Sequence, residues 1–181
     1  MRLNKLLLPV ILVGSLVLPG IAQAKQVRCE YKEEEPSKIN RVVPLMRMGI
    51  KITIPSNHRA IAKKDGSVEL LDSGTYNLLN CLANNPGAKG DALDYYSLII
   101  SKSKTSLLND GLYQSLENNK IISWIIKREG ESIFHTVKLR IKSKKGLVEV
   151  EQTTLGPITS EAEAKEEIKG LVEIAKHIEI I

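Results

Sequence analysis

The sequence predicts an α+β fold: an antiparallel sheet made of a hairpin and a three-stranded meander, helices packed on one face, and a C-terminal amphipathic helix. Three observations lead there. Apolar and polar residues alternate at strand period through residues 46–54 and again through residues 121–151, whereas residues 160–178 carry apolar side chains at helical spacing. Asp65-Gly66, Glu129-Gly130 and Lys145-Gly146 place turn dipeptides between alternating stretches. An amphipathic helix must cover an apolar surface, and the apolar face of the meander is its expected partner.

The first 24 residues stand apart from this pattern. Arg2 and Lys5 precede an apolar run over residues 6–18, Pro19-Gly20 breaks it, and Ala22-Gln23-Ala24 offers the small residues of a signal-peptidase site. The expectation is a secretory signal over residues 1–24, cleaved after Ala24, and a single α+β domain over residues 25–181. The run is shorter than the ~20 residues of a membrane span and contains Pro9 and Gly14, so no span is expected after cleavage. Without Arg2 and Lys5 the formal charge falls from +5 to +3, which gives little global attraction for nucleic acid.

Within residues 25–181 the elements come in order. Met46, Met48, Ile50, Ile52 and Ile54 face one side of a strand, and Pro55-Ser56-Asn57 turns the chain. Residues 58–64 and 67–72 flank Asp65-Gly66 as a hairpin; a two-residue turn sets Ile61 opposite Leu70 and Arg59 opposite Asp72. Residues 75–83 read as a short helix with Leu78, Leu79 and Leu82 on one side, ended by Asn84-Asn85-Pro86-Gly87. A strand over 95–100 and a weaker helix over 106–116, interrupted by Gly111, come next.

In the meander, a turn at Glu129-Gly130 aligns Ile126 with Ile133, Trp124 with His135 and Ile122 with Val137. A second turn at Lys145-Gly146 aligns Ile141 with Val150, and puts Arg140 opposite Glu151 and Lys142 opposite Glu149. The final helix has a capping box in Ser160 and Glu163 and an apolar stripe of Ala164, Ile168, Leu171, Val172, Ala175 and Ile178.

Function is bounded first by what is scarce. Seven aromatic residues are too few for a module built on stacking sugars or single-stranded bases. His58, His135 and His177 are scattered, with no CxxC or HxxxH spacing, so neither a metal nor another cofactor is expected. Cys29 and Cys81 make an even count in an exported chain, which reads as one disulfide; two buried free thiols are the other reading. The basic run over residues 138–145 reads as a charged sheet face paired with Glu149 and Glu151, its alternative being a surface for an acidic polymer. His135, opposite Trp124, reads as a hydrogen-bonded histidine at a core edge, its alternative a pH-sensitive group in a pocket.

Leu70-Leu71-Asp72-Ser73-Gly74-Thr75 resembles the active-site turn of retroviral-type aspartic proteases. The resemblance implies Asp72 as a catalytic carboxylate sharing one proton with a second protomer's. That family also needs a late glycine after two apolar residues, and Gly111, Gly130, Gly146 and Gly156 do not supply it. The same four residues, Asp-Ser-Gly-Thr, also match a helix N-cap.

A broader stretch is similar to small exported cyanobacterial proteins without assigned function: Ile54-Pro55-Ser56-Asn57-His58-Arg59-Ala60, Asp65-Gly66-Ser67-Val68, Gly74-Thr75-Tyr76 and Cys81-Leu82. It implies a periplasmic or extracellular protein with a structural cysteine and carries no activity. The expectation is a non-catalytic binding or interaction domain of the cell envelope with a protein or small-ligand partner. The alternative is an aspartic protease using the Asp72-Ser73-Gly74 turn.

Overall fold

The structure is a computed structural model that describes residues 27–90, 97–104, 112–153 and 157–181. The expected signal, residues 1–24, lies outside these, as do residues 95–96 of the expected strand and 106–111 of the expected weak helix. In chain order the elements are β1 (Arg28–Cys29), β2 (Asn40–Leu45), β3 (Ile50–Pro55), β4 (Arg59–Ala62), β5 (Val68–Leu71), α1 (Ser73–Asn84), β6 (Lys89–Gly90), β7 (Ser97–Lys102), β8 (Leu112–Leu116), β9 (Lys120–Glu129), β10 (Ser132–Ser143), β11 (Gly146–Thr153), α2 (Glu161–Lys176) and β12 (Ile178–Ile180).

Strand accounts for 49% of the described residues and helix for 20%, so the expected α+β class is corrected to a sheet-dominated fold. Its centre is a seven-stranded antiparallel sheet in the order β4-β5-β7-β11-β10-β9-β8. Leu112–Leu116, expected at the end of a helix, forms instead the edge strand β8 beside β9. Ile178, expected on the helical stripe, lies beyond it: α2 stops at Lys176 and Ile178 opens β12, which pairs with β3. In both places leucine or isoleucine at helical spacing reads equally well as strand, and pairing with a neighbour decides the outcome.

A smaller sheet, β12-β3-β2, packs against the large one. Strand β2 gives no periodic signal, because Val42 and Val43 are adjacent and Pro44 breaks the alternation; Pro44 is tolerated because β2 is an edge. The strand expected over 46–54 is shorter than its alternation. Met48 N donates to Leu45 O at 2.9 Å and Gly49 takes φ +69°, so Met46 to Gly49 is the β2–β3 turn. Ile50, Ile52 and Ile54 do point inward, while Met46 is 67% exposed.

The expected hairpin turns differ from their predicted form: the β4–β5 turn gains one residue, and the two meander turns each move by one. Between β4 and β5 the loop is Lys64-Asp65-Gly66, closed by Lys63 N donating to Ser67 O at 2.9 Å, with Gly66 at φ +84°. A three-residue loop ending in a left-handed glycine changes the register by one. Arg59 therefore faces Leu71 rather than Asp72, and Ile61 faces Glu69 rather than Leu70.

Between β9 and β10 the loop is Gly130-Glu131, and between β10 and β11 it is Lys144-Lys145. Trp124 then faces Val137, Ile126 faces His135 and Ile122 faces Leu139; Ile141 faces Val148 and Arg140 faces Glu149. A slip of two residues keeps every side chain on its expected face. The apolar face is unchanged; its partners are new.

That face and α2 enclose the main core. Ile100, Ile122, Leu139, Ile141, Val148 and Val150 from the large sheet meet Ala164, Leu171 and Ala175 of α2 and Ile50, Ile52 and Ile178 of the small sheet. Burial of each such leucine or isoleucine stabilises the fold by roughly 1.5–3 kcal/mol. The capping box forms as expected: Ser160 Oγ accepts from Glu163 N at 3.2 Å, and the Glu163 carboxylate accepts from Ser160 N at 3.1 Å. At the other end Lys120, buried under the sheet edge, donates to Ala175 O at 2.5 Å, a cation at the negative pole of the helix.

Glu167 on α2 is half-buried, and that burial pushes its carboxyl up to about 6. A carboxyl whose pKa is higher folded than unfolded costs stability once ionised, so stability should rise as pH falls from about 7 toward 4.5. Glu167→Gln is expected to stabilise the protein at pH 7.5 by up to about 1 kcal/mol, a figure reduced for solvent screening, with the advantage vanishing near pH 4. Urea unfolding of both proteins at the two pH values measures it.

Candidate functional site

The turn that resembles a protease centre is fully engaged as a helix start. Asp72 is the N-cap of α1: Oδ1 accepts from Thr75 N at 2.8 Å and Oδ2 from Thr75 Oγ1 at 2.7 Å. Ser73 Oγ donates to Glu34, and a Cβ on Gly74 would collide with the backbone oxygen of Lys32. Thus Asp, Ser, Gly and Thr each have a place in capping α1 and seating the segment before it. Arg59, expected to pair with Asp72, instead stacks over the Tyr76 ring at 5.5 Å. Asp72→Ala is expected to cost about 1 kcal/mol in urea unfolding and Asp72→Asn less, since its amide oxygen still accepts from Thr75 N.

Cys29 and Cys81 form a disulfide, with Cα atoms 5.8 Å apart. His135, though opposite Ile126, still reaches Trp124: the indole Nε1 donates to His135 Nδ1 at 2.9 Å, and the rings lie 5.6 Å apart. The basic stripe is corrected in detail. Arg140 pairs with Glu149 at 3.2 Å, Lys138 pairs with Glu149 at 3.4 Å and Glu151 at 2.5 Å, and Lys142 faces Leu147. Burial lowers the Lys138 ammonium, and its bonds to Glu151 and Glu149 more than reverse this, raising it overall.

Two histidines that look scattered in sequence share a cleft. His58 and His177 line a concavity of about 370 Å³ floored by Ile52, Ile54, Leu70 and Leu98, with Asp72 at its rim. Burial lowers the His58 pKa, opposed by the charge of Asp72. Among the described residues no group of three or more His, Cys, Asp or Glu stands close enough to hold a metal.

The larger concavity, about 790 Å³, lies where hairpin ends meet. The β2–β3 turn supplies Met46, Arg47 and Met48, and the β4–β5 loop supplies Asp65, Gly66 and Ser67. Strand β7 adds Ile99, Ser101 and Lys102, Lys104 lies just beyond its end, and the β10–β11 turn supplies Lys145. Two of these turns are latched together. Ser143 Oγ donates to Met48 O at 2.7 Å, and a Cβ on Gly49 would approach Lys145 Cγ to 3.0 Å, so the lysine stem runs directly over a glycine.

Elsewhere some cations are matched, Lys51 with Glu179 at 2.9 Å, Lys165 with Glu161 at 2.7 Å and Lys176 with Glu173 at 2.6 Å, while others such as Lys127, Arg128 and Lys142 have no carboxylate partner among the described residues. Among the described residues, Arg47, Lys102, Lys104 and Lys145 have no such carboxylate. A concavity ringed by unmatched positive charge concentrates anions. Only Lys145 of the four belongs to the basic run noticed in sequence; the others are brought to it by the topology. No protein-family model matches this chain, and no curated protein matches it.

Proposed function

We propose that this chain is an exported, non-catalytic binding domain of the cell envelope, and that the basic pocket between its hairpin ends holds an anionic ligand. The observation that carries this is the convergence of Arg47, Lys102, Lys104 and Lys145 on one concavity without carboxylate partners among the described residues. Its volume lies within the usual range for ligand sites. The disulfide accords with an oxidising compartment, and among the described residues no helix is long and apolar enough to cross a membrane.

Calorimetric titration with short anionic oligomers tests it. Affinity should fall steeply with added salt, since exposed charges are screened within about 8 Å at physiological ionic strength. The double reversal Lys102→Glu/Lys145→Glu should lower affinity by at least about tenfold with the melting midpoint unchanged. Undiminished binding by that variant would remove the pocket from the protein's function.

A further inference from the structure

One group in the basic pocket does not suit a bare anion. Asp65 lines the same concavity as the four cations. Its Oδ1 is occupied, accepting from Ser67 N at 2.9 Å and from Ser67 Oγ at 2.6 Å. Its Oδ2 accepts no hydrogen bond from another of the described residues. An ionised carboxylate is an acceptor only, so it repels a ligand made of anionic oxygens alone and welcomes one that also carries a hydroxyl donor. Among the described residues the lining adds the hydroxyl groups of Ser67 and Ser101 and no aromatic ring.

We infer that the pocket takes an anionic sugar, its acidic groups held by Arg47, Lys102, Lys104 and Lys145 and one of its hydroxyls donating to Asp65. This deepens the proposed anion-binding function and depends on it. The Ser67 bonds hold the Asp65 carboxyl below the usual carboxylate range, which keeps it an acceptor at mildly acidic pH. Recognition of this kind needs no stacking platform, in keeping with a chain poor in aromatic residues. It differs from a polyanion surface because charge alone does not determine the preferred ligand.

The test is calorimetric titration of the protein with trigalacturonate, which has carboxylates and hydroxyls, and with cyclic tetrametaphosphate, which has more charge and no hydroxyl donor at neutral pH. Trigalacturonate should bind about tenfold tighter despite its lower charge. Asp65→Asn, whose amide oxygen still accepts from Ser67 N, should weaken trigalacturonate by about fivefold and strengthen tetrametaphosphate. Tetrametaphosphate binding as tightly as the sugar to the unaltered protein would overturn the inference without recourse to any variant. So would an Asp65→Asn variant that binds both ligands more tightly, and either result leaves an anion site in place. If neither ligand binds and Lys102→Glu/Lys145→Glu is silent, the anion-binding function fails together with this inference.

Discussion

Replacing Glu149 by leucine is expected to cost the fold about 3–5 kcal/mol, the largest single effect foreseen outside the apolar core. Glu149 lies on the face of the large sheet that turns away from α2, and its carboxylate meets three polar side chains. Arg140 Nε stands 3.2 Å from Oε1, Ser103 Oγ donates to Oε1 at 2.9 Å, and Lys138 Nζ stands 3.4 Å from Oε2. The Arg140 side chain is only 4% exposed, and its contact with Glu149 is an ion pair without an aligned Nε hydrogen bond. Removing the carboxylate therefore takes away the Glu149 ion pair of a guanidinium that is almost fully shielded from water.

The matched control separates charge from packing. In Arg140→Met/Glu149→Leu both charges go and the volume stays, so most of the loss should be recovered. Urea unfolding of the two single variants and the double supplies the cycle. A single Glu149→Leu within about 0.5 kcal/mol of the parent protein would mean that the fold does not depend on the Glu149 carboxylate to neutralise Arg140.

The register that creates this pair shows how far sequence can reach. Alternation identifies β3, β9, β10 and β11 and assigns their faces, because a period of two depends only on neighbours along one strand. Serine and glutamate three apart identify the start of α2 for the same local reason. Cross-strand partners are another matter. They depend on which residue of a turn adopts positive φ, and Gly66, Gly130 and Gly146 each allow more than one placement. The expected Arg140–Glu151 pairing thus gives way to Arg140–Glu149.

The basic pocket is still less legible, since Arg47, Asp65, Lys102 and Lys145 come from four separate turns or strand ends. Taken singly, each is an ordinary polar residue at a hairpin end. The Asp72 motif shows the converse: a conspicuous local string whose residues turn out to be claimed by a helix cap and by the Glu34 segment lying over it.

That segment is also where the second large effect is expected. Loss of the Cys29–Cys81 disulfide, by Cys81→Ser or by reduction, should cost about 2–5 kcal/mol, because the bridge closes a loop with a sequence separation of 52 and constrains the unfolded chain. In the folded protein it ties β1, which pairs with β6, to the C-terminal half of α1 and starts the run of chain that crosses the first turn of α1. Glu34 there accepts from Ser73 Oγ at 2.5 Å and from Asn77 Nδ2 at 3.2 Å, a carboxylate at the positive pole of the helix. Further along, Ser37 N donates to Asn57 Oδ1 at 2.9 Å. These polar contacts are mostly part-exposed and individually weak, so the covalent tie at Cys29 does much to keep the run in place. Reduction should therefore lower the melting midpoint and, below that midpoint, speed amide exchange in the first turn of α1 before it does so in β10 or β11. Unreduced protein unfolded in denaturant should give no thiol labelling. Two reactive thiols, or a midpoint unmoved by reduction, would show that the first turn of α1 is held by its own Asp72 cap without help from the bridge.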